Sequence, residues 1–287
     1  MKVLDLFAGL KGWSEPWKAR GHETFSIDYD TRFDVDAHID INDVEAVFNA
    51  LPWHPDVILA SPPCEAFSVM TIGRNWTVDH QPKTDKARMA MALVEATREL
   101  IDILQPRFFI IENPRAKLRK LPILEGYERR TVTYCQLGEP YMKPTDLWGG
   151  FPPSLVLPDT CKPKAPCYVS APRGSSSGIQ GGQEARWTHP VLMAQSNNGH
   201  REDERQRAAA GREMMLAALP DEAKAWLDSL PPRKGKKVQG GMIEEMARFP
   251  SWSPERQLLS AMRAKIPERL SLLVCEAAER DILEVAA

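Results

Sequence analysis

The stretch RFFIIENP, residues 107–114, decides the fold class of this chain. Residues 108–111 are apolar without interruption, which predicts a strand buried on both faces in the interior of a parallel sheet. Apolar residues at helical spacing precede it over residues 84–104 and stop before Gln105-Pro106. Further elements are expected as strands at residues 3–7, 23–28 and 56–60 and as a helix at residues 10–20. This alternation predicts an α/β domain with a doubly wound, mostly parallel sheet.

The regular alternation of strands and helices stops near residue 150. Prolines, glycines and serines then interrupt the chain, and only residues 201–230 and 254–285 keep helical patterns. We expect two domains. Residues 1–150 together with 258–287 form the first, and residues 151–257 form a second, smaller and irregular domain.

The composition is that of an ordinary globular protein, with 287 residues and a formal net charge of −2. Binding of phosphate therefore depends on a local group of Lys and Arg, because the chain as a whole has no positive field. The 5 cysteines are an odd number spread along the chain, which favours a reducing compartment. Since neither a signal peptide nor a membrane span is recognisable, we expect a cytoplasmic monomer with no membrane partner.

A glycine-bearing turn, DLFAGLKGW at residues 5–13, follows the first strand. Glycines let a ligand approach the backbone, and the start of the next helix presents free N–H groups. Asp28, at the end of the second strand, is placed to accept hydrogen bonds from ribose hydroxyls. Both features favour a cofactor that carries a nucleoside. The alternative is a plain strand-to-helix turn with a surface aspartate.

Cys64 leaves the third strand through Ser61-Pro62-Pro63. Prolines cannot continue a sheet, but they fix the backbone, so they would aim the thiol from a rigid corner at the carboxyl edge of the sheet. Ligands of open α/β sheets bind at this edge, and a nucleophile needs rigid support. The alternative is a cysteine that packs as a small apolar side chain.

Glu112 ends the most buried strand at the same edge and is followed by Asn113-Pro114. A buried carboxyl group holds its proton more readily than an exposed one and could donate it. The alternative is a carboxylate that caps the next helix. Because the cofactor turn, the rigid cysteine and the buried acid all fall at strand exits of one sheet, the pattern favours a catalytic site.

Together these motifs resemble those of the DNA cytosine-5 methyltransferases, which use S-adenosylmethionine. The matching stretches are DLFAG at residues 5–9 with Gly12, Asp28-Tyr29, Asp40-Ile41, SPPCEAFS at residues 61–68 and Glu112-Asn113, in the order typical of that family. Residues 263–270 are similar to the closing helix of small phage- or prophage-type members, which packs beside the cofactor turn. The resemblance implies a Rossmann-like class I methyltransferase fold.

The resemblance also implies roles for individual residues. Cys64 attacks C6 of a cytosine flipped out of the duplex, Glu112 bonds N3 and supplies a proton, and Asn113 orders the site. The residues that would hold S-adenosylmethionine are Phe7, Ala8, Gly9, Leu10, Gly12, Asp28, Tyr29, Asp40, Ile41, Pro62 and Leu93. Among these, Asp28 would bind the ribose, and Tyr29 and Ile41 would lie near the adenine.

The implied partner is double-stranded DNA. Its expected contacts are Ser68, Arg74, Asn75 and Trp76 in a mobile loop at residues 66–86, and Arg173, Lys234, Lys236 and Lys237 in the smaller domain.

One family signature is absent from the chain. Most members carry Gln-x-Arg-x-Arg between the acid and the small domain, where residues 136–148 read QLGEPYMKPTDLW. Lys143 is the expected substitute for the arginine that braces the catalytic site, although a flexible ammonium does not reproduce a planar guanidinium. No metal is expected, because Cys161, Cys167, His189 and His200 lack the spacing of a zinc site.

Three other functions compete with this interpretation. An exocyclic amino methyltransferase would need an aromatic residue where SPPC has Cys64. A tRNA cytosine-5 methyltransferase would share the same Cys and Glu motifs. An inactive nucleic-acid-binding relative would keep the fold without the chemistry, which the missing arginine signature leaves open.

Overall fold

The computed structural model describes residues 1–68, 71–139, 143–161, 169–171, 186–188 and 253–286, and the single positions 217, 221, 224, 225, 229 and 249. Four expected DNA contacts lie outside this part of the chain, namely Arg173, Lys234, Lys236 and Lys237. Cys167, His189 and His200, for which no metal site is expected, also lie outside it. The helix expected over residues 201–230 also falls largely outside it.

The fold is built on a seven-stranded sheet with the strand order β3-β2-β1-β4-β5-β7-β6. Its strands are β1 Lys2–Leu6, β2 Glu23–Asp28, β3 Ala37–His38, β4 Val57–Ala60, β5 Phe108–Pro114, β6 Glu128–Thr133 and β7 Pro144–Gly150. Strands β1 to β5 pair in parallel, whereas β7 runs antiparallel to β5. A separate antiparallel pair consists of β8 Val169–Ala171 and β9 Arg186–Thr188. The prediction of a mostly parallel α/β sheet is therefore confirmed.

The antiparallel neighbour of β5 was not anticipated by the sequence analysis. A Cβ atom on Gly149 of β7 would lie 1.9 Å from the carbonyl oxygen of Phe109. The two backbones thus approach so closely that no side chain fits at this position. A strand that returns in the antiparallel direction needs no crossover helix, so the alternation of strands and helices in the sequence does not predict it.

The α-helices with described bounds are α1 Ser14–Ala19, α2 Val44–Ala50, α3 Ile72–Asn75, α4 Asp85–Leu104, α5 Pro254–Ala264 and α6 Glu268–Ala286. Short 3₁₀-helices lie at Leu118–Lys120, Pro122–Leu124 and Tyr134–Leu137. Helix α4 confirms the prediction over residues 84–104. The Thr84 side chain caps it by accepting a hydrogen bond from the N–H of Ala87, and Gln105 ends it in the left-handed conformation. The helix expected over residues 10–20 is wrong at its start, because α1 begins only at Ser14.

Helices cover both faces of the sheet. Alternate strand residues such as Leu4 and Leu6 belong to a buried cluster with Val94 of α4 and Val47 of α2. Asp5 points to the opposite face, where it bonds to Ser14 of α1, and α1 packs against α6. Side chains of β1 thus point alternately towards helices on the two faces of the sheet, which confirms the doubly wound arrangement.

The chain divides into two compact units. The first consists of Met1–Val132, Pro144–Pro158 and Lys265–Ala287, and the second of Thr133–Lys143 and Asp159–Ala264. The expected assignment of catalysis to one domain and DNA recognition to the other stays a prediction. In the described part of the chain, no helix is long and apolar enough to cross a bilayer.

The C-terminal helix belongs to the first unit and lies beside the glycine turn. A Cβ atom on Gly12 would come within 2.7 Å of the backbone nitrogen of Ile266. The Ser271 hydroxyl of α6 donates a hydrogen bond to the carbonyl oxygen of Trp13 at 2.6 Å. The expected packing of the closing helix against the turn is confirmed.

Candidate active site

The sheet register aligns the ends of β1 and β4 with the middle of β5. Leu6 of β1 pairs with Ala60 of β4, and Ala60 pairs with Ile111 of β5. The loops that leave β1 and β4 therefore start side by side, next to the part of β5 that continues to Pro114. Glu112 comes directly after Ile111, and Cys64 lies in the loop that follows Ala60.

The turn after β1 adopts an unusual backbone conformation. Phe7, Gly9 and Lys11 have φ values of 60°, 50° and 54°. Positive φ costs energy for residues other than glycine, so the surroundings must impose it at Phe7 and Lys11. The N–H of Gly9 donates to Oδ2 of Asp28 at 2.9 Å, which ties this turn to the end of β2. Because residues 7–11 are held in this non-helical turn, α1 starts later than its apolar pattern suggests.

Asp5 is a buried acid beneath this turn, and the sequence analysis assigned no role to it. Its Oδ2 accepts hydrogen bonds from the backbone N–H of Ser14 at 3.1 Å and from the Ser14 hydroxyl at 2.7 Å. Its Oδ1 is buried and has no partner among the described residues. Burial raises the pKa of Asp5 from 3.8 to about 7, although the bonds from Ser14 lower it. In the sequence, the signal for this buried acid is an aspartate among the apolar residues of β1.

The segment before Cys64 is held from three sides. The N–H of Ser61 donates to the carbonyl of Leu6 at 3.2 Å, and the indole N–H of Trp13 donates to the Ser61 hydroxyl at 3.0 Å. The Asn113 amide donates to the carbonyl oxygen of Pro62 at 2.9 Å. The chain ahead of Cys64, itself half-buried, is thus fixed both by its prolines and by hydrogen bonds from its neighbours.

The strand was expected to end at Glu112, but β5 continues to Pro114, so Glu112 and Asn113 lie inside it and pair with β7. Both are buried, with 3% and 0% of their surfaces exposed. The Oδ1 atom of Asn113 is buried without a partner among the described residues. Because Asn113 bonds to Pro62, the strand that carries the acid and the loop that carries the cysteine are directly connected. The arrangement can hold a nucleophile and a proton donor in fixed positions.

Two expected DNA contacts are buried in this structure. Trp76 and Asn75 are each 3% exposed, and both side chains donate to the carbonyl oxygen of Ala66, at 2.8 Å and 3.3 Å. Trp76 also stacks on Phe67, with ring centroids 5.7 Å apart. In this conformation both side chains bond within their own loop, and their contact with DNA stays a prediction. Ser68 is half-buried beside Thr71, and Arg74 is exposed.

Lys117 lies in the segment that follows Glu112 and contacts the loop that contains Trp76 and His80. It is 3% exposed, and its Nζ lies 2.8 Å from Nδ1 of His80 and 5.2 Å from the ring centroid of Trp76. Its backbone N–H donates to the carbonyl of Phe67 at 3.0 Å. Burial lowers the pKa of Lys117. Lys117 could not be recognised from the sequence, because nothing in its local pattern distinguishes it from a surface lysine.

Lys143 belongs to the second unit. Its Nζ donates to the hydroxyl of Tyr134 at 3.3 Å and lies 4.6 Å from the centroid of the same ring. Both side chains are buried. Its expected role as a substitute for arginine stays a prediction.

A group of potential metal ligands occurs away from these strand ends, at His22, Cys275 and Glu279. The Glu279 carboxylate is already bound by both Nε and Nη2 of Arg20, and Oε1 lies 2.9 Å from Nε2 of His22. Burial raises the pKa of Cys275 to about 12, so its thiol is a poor ligand near neutral pH. We interpret the group as an ion-pair network between α6 and the start of the chain.

Comparisons with known proteins identify the family of this chain. The family model for C-5 cytosine-specific DNA methylases matches residues 1–120. The chain is 31% identical over 205 residues to the "Probable DNA (cytosine-5)-methyltransferase" of Frog virus 3 (isolate Goorha), which covers 70% of this chain and 90% of that protein. This chain belongs to the C-5 cytosine-specific DNA methylase family. It is therefore a methyltransferase for cytosine with S-adenosylmethionine as the methyl donor.

Two further proteins are similar over different lengths. The type II methyltransferase M.AplI of Arthrospira platensis is 32% identical over 125 residues, which is 41% of this C-5 methylase and 32% of the relative. The solved structure of the Entamoeba histolytica methyltransferase EhMeth is 10% identical, with 98% of each chain covered and a TM-score of 0.49.

The residues around the turn suit the methyl donor of this C-5 methylase. Asp28 presents a half-buried carboxylate, which has free acceptor positions for ribose hydroxyls besides its bonds to Gly9 and Asp30. Tyr29 is 74% exposed beside it, so its ring is available to stack on an adenine, and Ile41 is buried. The other expected residues lie at strand ends or on α4: Phe7, Leu10 and Leu93 are half-buried, Pro62 is buried, and Asp40 is exposed.

Proposed function

We propose that this C-5 methylase methylates C5 of a flipped-out cytosine in duplex DNA through a covalent adduct with Cys64. The observation that carries the proposal is the hydrogen bond from Asn113 to the carbonyl oxygen of Pro62. It fixes the rigid approach to Cys64 against the strand end that presents Glu112. Both lie at the sheet edge where the turn at Gly9 meets Asp28.

The chain's own residues account for activation of the pyrimidine. Cys64, as thiolate, attacks C6, and a new S–C6 bond moves electron density towards C5. Glu112 hydrogen-bonds N3 and supplies a proton there, which stabilises the charge that the attack pushes into the ring. S-adenosylmethionine, when bound, supplies an electrophilic methyl group on sulfur. Once C5 is methylated, a base takes the C5 proton, the C5=C6 bond forms again and Cys64 leaves as thiolate, while the proton on N3 returns to Glu112.

The substrate is tested by incubating the purified chain with labelled S-adenosylmethionine and duplex DNA, and separately with tRNA, followed by nucleoside analysis. We expect label in 5-methylcytosine from DNA. Label only in RNA would assign the activity to tRNA. Label in N4-methylcytosine or N6-methyladenine would overturn the proposed chemistry.

The covalent step is tested with DNA that contains 5-fluorocytosine. Because C5 carries fluorine in place of hydrogen, no proton can be removed there after methyl transfer. The adduct with Cys64 should therefore accumulate and survive denaturing electrophoresis. Cys64→Ala should form no adduct and transfer no methyl group, while it still binds DNA. Cys161→Ala is the matched control, because Cys161 is also half-buried but lies in the second unit. Methyl transfer by Cys64→Ala at the wild-type rate would refute the covalent route.

A further inference from the structure

The most basic part of the described chain directly follows the strand end that carries Glu112. Residues 115–130 read RAKLRKLPILEGYERR, with basic residues at 115, 117, 119, 120, 129 and 130 and acidic residues at 125 and 128. The formal net charge of the whole chain is −2. A positive segment in a slightly acidic protein creates a local field that the overall charge conceals.

Part of this charge is neutralised inside the fold. Lys117 is buried beside Trp76. Arg119 binds the buried carboxylate of Asp146 through Nε at 2.8 Å and through a second bond from Nη2. Arg130 donates to Glu128 at 2.8 Å and to the carbonyl oxygen of Leu155 at 3.0 Å. These side chains have structural partners and are not available to a ligand.

Arg115, Lys120 and Arg129 are different, because all three are exposed. Within the described ranges, their side chains form neither an ion pair nor a hydrogen bond. A long cationic side chain without a partner keeps its full charge for an incoming anion, and no internal bond has to be broken for binding.

Two of these cations, Lys120 and Arg129, line a cleft of about 500 Å³. Arg119, Tyr127 and Trp148 line it as well, and Leu121, Pro122 and Leu124 contribute apolar surface. Trp148 pairs with Ile111, the residue before Glu112. The N–H of Arg115 donates to the carbonyl of Pro144 at 2.9 Å, where β7 begins beside the end of β5. The cleft and Arg115 thus flank the strand end that presents the acid.

We propose that Arg115, Lys120 and Arg129 form a second DNA-binding surface, which holds phosphates of the duplex backbone next to the target cytosine. The inference rests on the proposed function, since it assigns a partner contact to the same sheet edge. Exposed cations without internal partners suit the phosphates of a duplex, and contacts of this kind position the nucleic acid without reading its sequence.

The test measures duplex DNA affinity at a series of salt concentrations for the full chain and for Arg115→Gln, Lys120→Gln, Arg129→Gln and the triple variant. The slope of log K against log salt concentration is negative, and loss of one phosphate contact reduces its magnitude by about 1. We therefore expect the magnitude of this negative slope to fall by about 1 for each single variant and by about 3 for the triple variant. Affinity should fall alike for unrelated DNA sequences. Lys18→Gln is the matched control, because Lys18 is exposed on α1 and should leave the slope unchanged.

The outcomes separate this inference from the proposed function. An unchanged salt slope in the triple variant, with melting temperature and 5-methylcytosine formation intact, would overturn the DNA-binding surface alone. If the variants lose affinity for tRNA but keep it for duplex DNA, the surface serves RNA and the inference is wrong. If the wild-type chain makes no 5-methylcytosine, the proposed function fails, whereas the salt slopes still decide whether this surface binds DNA.

Discussion

At the scale of single residues, Asn113 has the most specific geometry in the candidate site. Its amide reaches from β5 to the carbonyl oxygen of Pro62 and so controls the path of the chain into Cys64. Displacing a catalytic group by a fraction of an ångström is enough to slow a reaction strongly. The hydrogen bond is therefore a positioning device, and its loss should affect the rate more than the binding of either substrate.

We expect Asn113→Asp to lower kcat by about 10- to 100-fold, because aspartate keeps the shape of the side chain but cannot donate to Pro62. The dissociation constant for S-adenosylmethionine should stay the same. Single-turnover methyl transfer and equilibrium cofactor binding measure the two effects. Asn113→Ala should behave like the aspartate variant. Wild-type kcat in Asn113→Asp would show that the bond to Pro62 does not position Cys64.

Asp5 predicts an unusual dependence of stability on pH. Its pKa is about 7 in the folded protein, against an ordinary value of 3.8. Between these values the folded protein retains a proton that the unfolded chain releases, so the free energy of unfolding falls as pH rises from about 4 to about 7. The loss reaches on the order of 4 kcal/mol and levels off above the folded pKa.

Asp5→Asn should remove this part of the pH dependence. Asparagine can still accept the hydrogen bonds from Ser14 but carries no ionisable proton. Urea unfolding of both proteins at pH 5 and pH 8 measures the effect, and the difference between wild type and variant isolates Asp5 from other titrating groups. Parallel pH profiles for the two proteins would contradict the prediction.

At the scale of elements, apolar patterns predict the strands β1, β2, β4 and β5 and the helix α4, but they do not indicate the two-residue parallel strand β3. The continuous run at residues 108–111 and the helical spacing over residues 84–104 each have one favourable interpretation. The turn at residues 7–13 could not be predicted in the same way. Its positive φ values at Phe7 and Lys11 depend on bonds to β2 and on packing against α6, which are distant in sequence.

The candidate site shows the same division. The sequence predicts Cys64, Glu112 and Asn113 as site residues because it places them where strands reach one edge of a sheet, and β5 continues past Glu112 to Pro114. The burial of Asn75 and Trp76 and the contact of Lys117 with His80 arise only when two loops pack together. A local sequence pattern carries no information about such a contact.

The loop after Cys64 yields a prediction at this scale. Lys117→Met keeps the length of the side chain but removes the hydrogen bond to His80 and the cation–π contact with Trp76. We expect the loop at residues 66–84 to open more often, so limited proteolysis should cleave it several-fold faster while global unfolding changes little. Lys120→Met is the matched control, since Lys120 is exposed and outside this contact. Equal cleavage rates for both variants would exclude Lys117 as the link.

At the scale of the whole molecule, the first unit is closed by residues far apart in the chain. Helix α6 packs on α1 and beside the cofactor turn, and Arg20 and His22 bind Glu279. The Arg20 guanidinium lowers the pKa of Glu279, but the pair is partly exposed and adds little stability by itself. The close approach of Gly12 to Ile266 is therefore the contact that decides whether α6 can dock.

Gly12→Ala tests this closure. The added Cβ would lie 2.7 Å from the nitrogen and 2.9 Å from the oxygen of Ile266, and backbone atoms cannot move aside as a flexible side chain can. Overpacking of this kind typically destabilises a protein by about 1–3 kcal/mol, which urea unfolding would measure. The binding of S-adenosylmethionine should weaken as well, because the same displacement disturbs the turn. Gly73→Ala is the matched control, since its Cβ would meet nothing within 4 Å. If both alanine variants unfold at the same urea concentration as wild type, α6 does not depend on the glycine at position 12.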